Sequence, residues 1–384
     1  MRYSDPDIER AFSLRSQYER WNEVLFAFLS AQSQSGIFPN EECALSVESA
    51  VAAWRQVSID SNSVSQILVR EETTKHDVAA FVEWLCAKDP HMARWVHFGT
   101  TASDVVDTAN SLLIREVVRT VRADVVRLEH ALVQSGSRNW SMMGRTHGKV
   151  AAPTSWGYVC AEHMAEVFEA AKDLDKVGSN LHLNMSGPTG WGAAFGERTR
   201  LAAARKLGLR PTDATTQVLP RHWLARTAEA LAHVVLACER ICLRFRLMAQ
   251  DGVGELTSVK TEGQKGSSCM PHKINPVRAE RVSGLARVVR SNVSVAYEDC
   301  LLWCERDISH SSAEREWLPQ SFRLTRQILR DTTHVVQTWV PDPKVMRATV
   351  ESSRDSYTLL CHKILSGSTR EEAYNFLSNL DREA

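Results

Sequence analysis

Residues 262–276 read Glu-Gly-Gln-Lys-Gly-Ser-Ser-Cys-Met-Pro-His-Lys-Ile-Asn-Pro, and no packing requirement explains that gathering of residue types. Gly263 and Gly266 allow a backbone that moves or takes φ > 0, while Pro271 and Pro276 fix φ and withhold donors, so no continuous helix passes through. Ser267, Ser268, His272, Lys273 and Asn275 add two hydroxyls, an imidazole, an ammonium and an amide, all suited to handling an anion or a proton. A lid over an active site would have this composition. A solvated surface loop is the plain alternative.

Four further polar clusters fall where helical patterns break, the placement that catalytic residues on a rigid scaffold need. Trp95 to Asp104, followed by Asp107-Thr108-Ala109, ends in hydroxyls and an acid ahead of a long helix. There Ser103 or Asp104 would cap first-turn amides, or those amides would grip a ligand carboxylate. Gly144 to Thr154 carries His147 between hydroxyl and glycine neighbours ahead of a helix, a general acid or base or simply a structural histidine. Thr215-Thr216-Gln217-Val218 is weak by itself. Trp303 to Arg315 puts Arg306 and Arg315 among hydroxyls near a helix start, which suits a phosphate, although Glu305, Asp307 and Glu314 offer the arginines ion pairs instead.

The elements that must position these clusters read as helices. Asp7 to Ser33, Val47 to Val57 and Val78 to Ala87 carry short amphipathic patterns, with Pro90 ending the last. From Asp104 the helices lengthen: Ile114, Val117, Val118, Val121, Val125, Leu128 and Leu132 step by three and four. Others run from Trp156 to about Val177, from Leu224 to Ala249, from Pro276 to Trp303, and from Glu314 towards Val340 with a kink expected at Pro319. The third of these five is apolar nearly all round in its first half and should be buried, between subunits if the chain assembles. Leu181 to Ser186 is the one weak strand candidate. The reading is therefore all-α, a long-helix bundle flanked by an N-terminal helical domain over 1–105 and a short C-terminal one over 341–384, with the bundle at 106–340.

The 384 residues are 43% hydrophobic and 24% charged, with 46 Lys plus Arg against 46 Asp plus Glu. A zero formal charge argues against nucleic acid as a partner and makes any anion site local. No apolar run is long enough to span a membrane and no signal peptide is apparent, so a cytoplasmic protein is expected. Nine scattered cysteines lack metal-site spacing, and Cys238, Cys242, Cys300 and Cys304 are expected on helices as small buried hydrophobes. No metal and no cofactor are expected.

Gly266 to Pro276, GSSCMPHKINP, resembles the Gly-Ser-Ser-x-Met-Pro-x-Lys-x-Asn-Pro signature of the fumarase/aspartase superfamily, and the flanks and the other clusters look most like its adenylosuccinate lyase branch. The resemblance runs from Arg2-Tyr3-Ser4 to the arginine stretch and thins after about residue 340. It implies three largely helical domains, a homotetramer with shared active sites, and β-elimination of fumarate from a succinyl-amine. It makes Ser267 the base, His147 the acid on the leaving nitrogen, Glu280 the residue that orients it, and Lys273 a stabiliser of the alkoxide. Lys273, Asn275, Thr101 and Gln217 would hold succinyl carboxylates; His76, Asp77, His97, Thr146, Ser268 and Met270 would line the site. Arg2, Tyr3, Arg306, Ser311 and Arg315 match phosphate contacts, which points to adenylosuccinate and the succinyl-carboxamide ribotide of purine synthesis as substrates.

Ala102 stands where the family usually has a substrate-binding serine, Lys149 and Ala152 flank the histidine region unusually, Thr257-Ser258-Val259 replaces an acidic pair and proline, and the C-terminal domain is short. These departures keep a lyase acting on another N-substituted aspartate as the rival reading, and a catalytically silent relative as the second.

Overall fold

The computed structural model describes residues 2–192, 195–259, 263, 269–270 and 273–380. Helices dominate: α1 (Pro6–Ala11), α2 (Leu14–Ser35), α3 (Glu41–Trp54), α4 (Ser61–Thr74), α5 (Asp77–Cys86) and α6 (Pro90–Ala93) precede the first long helix, α7 (Ala102–Gly136). A hairpin of β1 (Ser141–Thr146) and β2 (Lys149–Ser155) leads into α8 (Trp156–Ser179), then β3 (His182–Leu183), α9 (Gly196–Leu207) and β4 (Arg210–Pro211). There follow α10 (His222–Met248), β5 (Leu256–Thr257), α11 (Val277–Glu298), α12 (Ser309–Thr338), β6 (Val340–Pro341), α13 (Pro343–Ser352), α14 (Ser356–Leu365) and α15 (Arg370–Leu380). The all-α class holds, and no helix among the described residues is long and apolar enough to cross a membrane.

Local chemistry sets the boundaries. Asp5, Ser13, Asn40 and Asp60 each accept from a first-turn amide and open α1 to α4. Ser13 splits the single pattern expected over Asp7 to Ser33 into two helices. Pro90 starts α6 rather than merely ending its predecessor, because Asp89 caps it and proline is tolerated at the first helical position. Pro319 lies inside α12, which runs on through it. Strand reading fell short at residues 141–155, where an antiparallel hairpin forms; of the Leu181 to Ser186 candidate only His182–Leu183 pairs, in parallel with β4. Cys238 and Cys242 are buried on α10, but Cys300 follows the end of α11 and exposed Cys304 takes φ 52° in a turn, so neither belongs to a helix.

The contacts divide the chain into two compact units. One comprises Met1–Ala123, Ala171–His233 and Arg287–Gln327; the other comprises Asp124–Ala170, Val234–Ala286 and Ile328–Ala384. The first has an aromatic core in which Tyr18 stacks on Phe81 at 5.5 Å and Trp21 meets Phe81 edge-on at 5.7 Å, which fastens α5 to α2. Each such pair adds ~0.5–1.5 kcal/mol beyond its burial. Trp54 and Trp84 place their indole N–H groups on Asn22 and Gln66. In the second unit Trp156 and Trp339 both pack against Phe245. The first half of α10 is buried as expected, from Leu224, Ala225 and Ala228 to Leu231 and Val235.

Candidate active site

In the first unit, five residues singled out from the sequence line one cavity of about 270 Å³: His76, Asp77, Arg306, Ser311 and Arg315. Three elements bring them together. His76 caps α5, its Nδ1 accepting from the Ala79 amide at 3.4 Å, so that Asp77 opens the helix. Asp77 then accepts from the Arg315 guanidinium at 2.9 Å. Asp307 receives the Ser309 hydroxyl, the Trp303 amide at 2.7 Å and the Ser309 amide at 2.8 Å, which fold the 303–307 turn onto the start of α12 and, the hydroxyl first, lower its pKa to about 2. Ser311 and Arg315, one turn apart, consequently share a face of α12.

Among the described residues Glu305, Asp307 and Glu314 form no ion pair with Arg306 or Arg315; the partner of Arg315 is Asp77 instead. Asp307 is occupied by the turn, and Glu305 offers its backbone carbonyl to the Gln217 amide. Arg306 donates to the Gln217 side-chain oxygen at 2.9 Å, and among the described residues no carboxylate pairs with it. Its charge is available to an anion. Gln217 itself donates to the Pro188 carbonyl at 3.0 Å.

The start of α7 resolves the capping alternative differently from either option. Thr101 is the cap: its Oγ1 receives the Asp104 amide at 3.4 Å, while Asp104 Oδ2 receives the Thr101 amide at 2.7 Å and its hydroxyl at 3.0 Å. This reciprocal box occupies Thr101. Ser103 is buried beside it and lines the cavity together with Ala102. Further along the same helix a row of buried polar groups holds the irregular chain. Asp104 Oδ1 accepts from the Ser186 amide at 2.7 Å, Thr108 exchanges hydrogen bonds with Asn184, and Asp107 accepts from the Leu219 amide at 2.8 Å. Burial pushes the Asp104 carboxyl above its usual range despite those amides.

Sequence reading missed Arg221 altogether. It is 3% exposed, lies 2.8 Å from Asp107 and 3.1 Å from Glu314, and donates to His310 Nε2 at 2.8 Å. In the sequence Asp107, His310 and Glu314 stand out only as members of polar strings. An arginine immediately before a long, largely buried helix, with no acid within a turn, is a signal that its partners are distant in sequence. Burial raises the Glu314 pKa to about 8, and burial followed by Arg221 lowers that of His310 to about 4.

Of the other expected residues in this unit, His97 sits at φ 65° in the turn before α7, its Nε2 buried without a partner and its pKa lowered first by burial and then by His76. Left-handed backbone at a non-glycine residue is strain of the kind found at functional sites. Tyr3 accepts from Arg323 through its carbonyl at 2.7 Å, and Arg2 is exposed beside it; neither lines the cavity.

In the second unit His147 and Gly148 form the two-residue loop of the β1–β2 hairpin, with φ of 52° and 75°. Both central residues at positive φ match the right-handed twist of the flanking strands. His147, Thr146 and Lys149 are exposed at this tip, with β2 between the histidine and α8. Arg145 anchors the hairpin by donating to fully buried Glu255 at 2.8 Å. Glu280, in the first turn of α11, stands 3.6 Å from Arg246, and no hydrogen bond joins it to His147 among the described residues of one chain. Met270 and Lys273 are exposed, Asn275 is half-buried, and the Lys273 amide closes a turn on the Met270 carbonyl at 2.9 Å. Ser267 and Ser268 lie outside the described residues.

A family model described as "Lyase" matches residues 2–291. The adenylosuccinate lyase of Bacillus subtilis is 33% identical over 394 residues, covering 100% of this chain and 88% of that one. Those of Streptococcus mutans and Archaeoglobus fulgidus are 32% and 34% identical, each over 98% of this chain and over 86% and 84% of their own lengths. Among solved structures, a fumarate lyase from Mesorhizobium sp. BNC1 superposes with a TM-score of 0.81 at 23% identity, covering 98% of this chain and 85% of that one, a likeness of fold.

Proposed function

The chain belongs to this lyase family, and from that premise we propose that it breaks the C–N bond of a succinyl-amine by β-elimination, converting adenylosuccinate to AMP and fumarate and acting likewise on the succinyl-carboxamide ribotide of purine synthesis. The observation that carries the substrate choice is Arg306: a guanidinium at a cavity shared with Ser311 and Arg315, with an amide oxygen and, among the described residues, no carboxylate as partner. It suits a phosphate.

In the proposed mechanism Ser267 as alkoxide takes the proton from the carbon next to a succinyl carboxylate. The electron pair moves into that carboxylate as an aci-anion, which Lys273 and Asn275 stabilise, with Thr101 and Gln217 supporting. Collapse of the aci-anion forms the fumarate double bond and expels the nitrogen, which His147 protonates. Glu280 orients His147. His76, Asp77, His97, Thr146, Ser268 and Met270 enclose the substrate, and Arg2 and Tyr3 extend the phosphate contacts. Because His147 and Glu280 are not joined within one chain, the relay calls for a second copy. Exposed Leu236, Leu243 and Leu247, spaced seven and four along α10, offer an apolar stripe for a homotetramer of shared sites in the cytoplasm.

Ala102 at the cavity lining favours a second reading, a lyase for another N-substituted aspartate. Incubating the purified protein with adenylosuccinate and, separately, with smaller aspartate derivatives decides between them. AMP and fumarate from the first support the proposal, fumarate from the second set alone supports the alternative, and silence on all sinks both.

A further inference from the structure

Beneath the exposed arginines the cavity has a buried floor, and its donors are not all used. Arg221 donates to Asp107 and to His310 through Nη2, but its Nη1 is buried without a partner. Its Nε lies 3.1 Å from Glu314 Oε1 without forming a hydrogen bond. A guanidinium only donates, so His310 accepts through Nε2 and carries its proton on Nδ1. That Nδ1–H is also buried and unpartnered. Arg221 and His310, from the loop before α10 and the first turn of α12, line the same cavity as Arg306, Ser311 and Arg315, and each carries a buried N–H without a partner.

Buried donors left without acceptors are rare in folded proteins, because each forfeits its bonds to water. Arg221 and His310 sit among Asp107, Glu314 and Asp299, yet those carboxylates leave the N–H groups unsatisfied. An acceptor rich in oxygens and entering from the cavity would satisfy them together.

We propose that Arg221 and His310 are ligand-binding residues, a second, buried tier of donors in which Arg221 Nη1–H and His310 Nδ1–H bind oxygens of the phosphate that Arg306, Ser311 and Arg315 hold from outside. This rests on the reading that the ligand carries a phosphate. The buried tier explains how the cavity discriminates: exposed arginines attract any anion through solvent, whereas desolvated, fixed donors recognise one whose oxygens match their positions.

Calorimetric titration of the assembled protein with AMP and with adenosine tests it. Arg221→Lys keeps a positive charge facing Asp107 and loses the second terminal nitrogen, Nη1; it should weaken AMP binding ~10-fold, the effect of one charge-assisted hydrogen bond, and leave adenosine binding unchanged. His310→Gln, which leaves the Arg221–Asp107 pair in place, should weaken AMP severalfold and spare adenosine, and serves where the arginine variant does not fold. Equal losses for AMP and adenosine, or no loss for either, would overturn the proposal, as would a wild-type protein that binds neither AMP nor inorganic phosphate. A wild-type protein that binds AMP yet leaves adenylosuccinate intact would contradict the proposed reaction and leave this inference standing.

Discussion

Gln217 and Arg306 are 89 residues apart in sequence, and their side chains meet at 2.9 Å, the arginine donating to the amide oxygen. On the proposed reading one holds a carboxylate and the other a phosphate, so the contact would link the two halves of a succinylated nucleotide's recognition. Arg306→Gln removes the charge from an exposed side chain without opening the core. Its expected effect is a rise of ~10-fold or more in KM for a phosphate-bearing substrate, with the melting temperature unchanged. Steady-state kinetics beside a thermal melt checks both.

Glu314 predicts an unusual stability profile. Its folded pKa is raised from the ordinary 4.5 to about 8, chiefly by burial, so the folded state holds a proton that the unfolded chain releases. The sign follows: stability falls as pH rises through that window and levels off above it. His310, lowered to about 4, acts in the opposite direction, costing stability as pH falls below 6.5. Between pH 6.5 and 8 Glu314 therefore contributes a downward slope that His310 does not oppose. Urea denaturation across that range should show it in the wild type and find it flattened in Glu314→Gln.

Thr101 and Asp104 cap α7 reciprocally, and Asp104 also receives the Ser186 amide. Thr101→Ala should cost about 1 kcal/mol, as loss of a cap does, whereas Asp104→Ala should cost more because it also strands a buried amide. Chemical denaturation of the two variants gives the order; the reverse order would remove Asp104 from its role as anchor.

Ala102 lines the cavity with a methyl where a hydroxyl would donate. Ala102→Ser should raise kcat/KM for adenylosuccinate if that is the substrate. A fall, with another N-substituted aspartate still turned over, would favour the alternative reading.

Much of this was legible in the sequence because its signals are local. Period and breakers located the long helices, and five polar residues from the 76–77 and 306–315 stretches do share a cavity. What was not legible depends on distant partners. Arg221 has meaning only against Asp107 and Glu314, each about a hundred residues away along the chain. The hairpin escaped because β1 and β2 lack alternation and their loop has histidine where Asn-Gly would announce it, although His147-Gly148 takes the same positive φ values. Helix α4 escaped because its apolar face is narrow, Ile67 being its one fully buried large side chain.

The account depends most on His147 delivering a proton to a leaving nitrogen. Asparagine tolerates the left-handed backbone that His147 adopts at φ 52°, so His147→Asn preserves the hairpin and removes the imidazole. The decisive measurement is the release of AMP and fumarate from adenylosuccinate by the wild type and by this variant. Equimolar products from the wild type and a loss of roughly 10²–10⁴-fold in kcat for a folded variant are predicted. No products from the wild type, or undiminished turnover in the variant, would contradict the account.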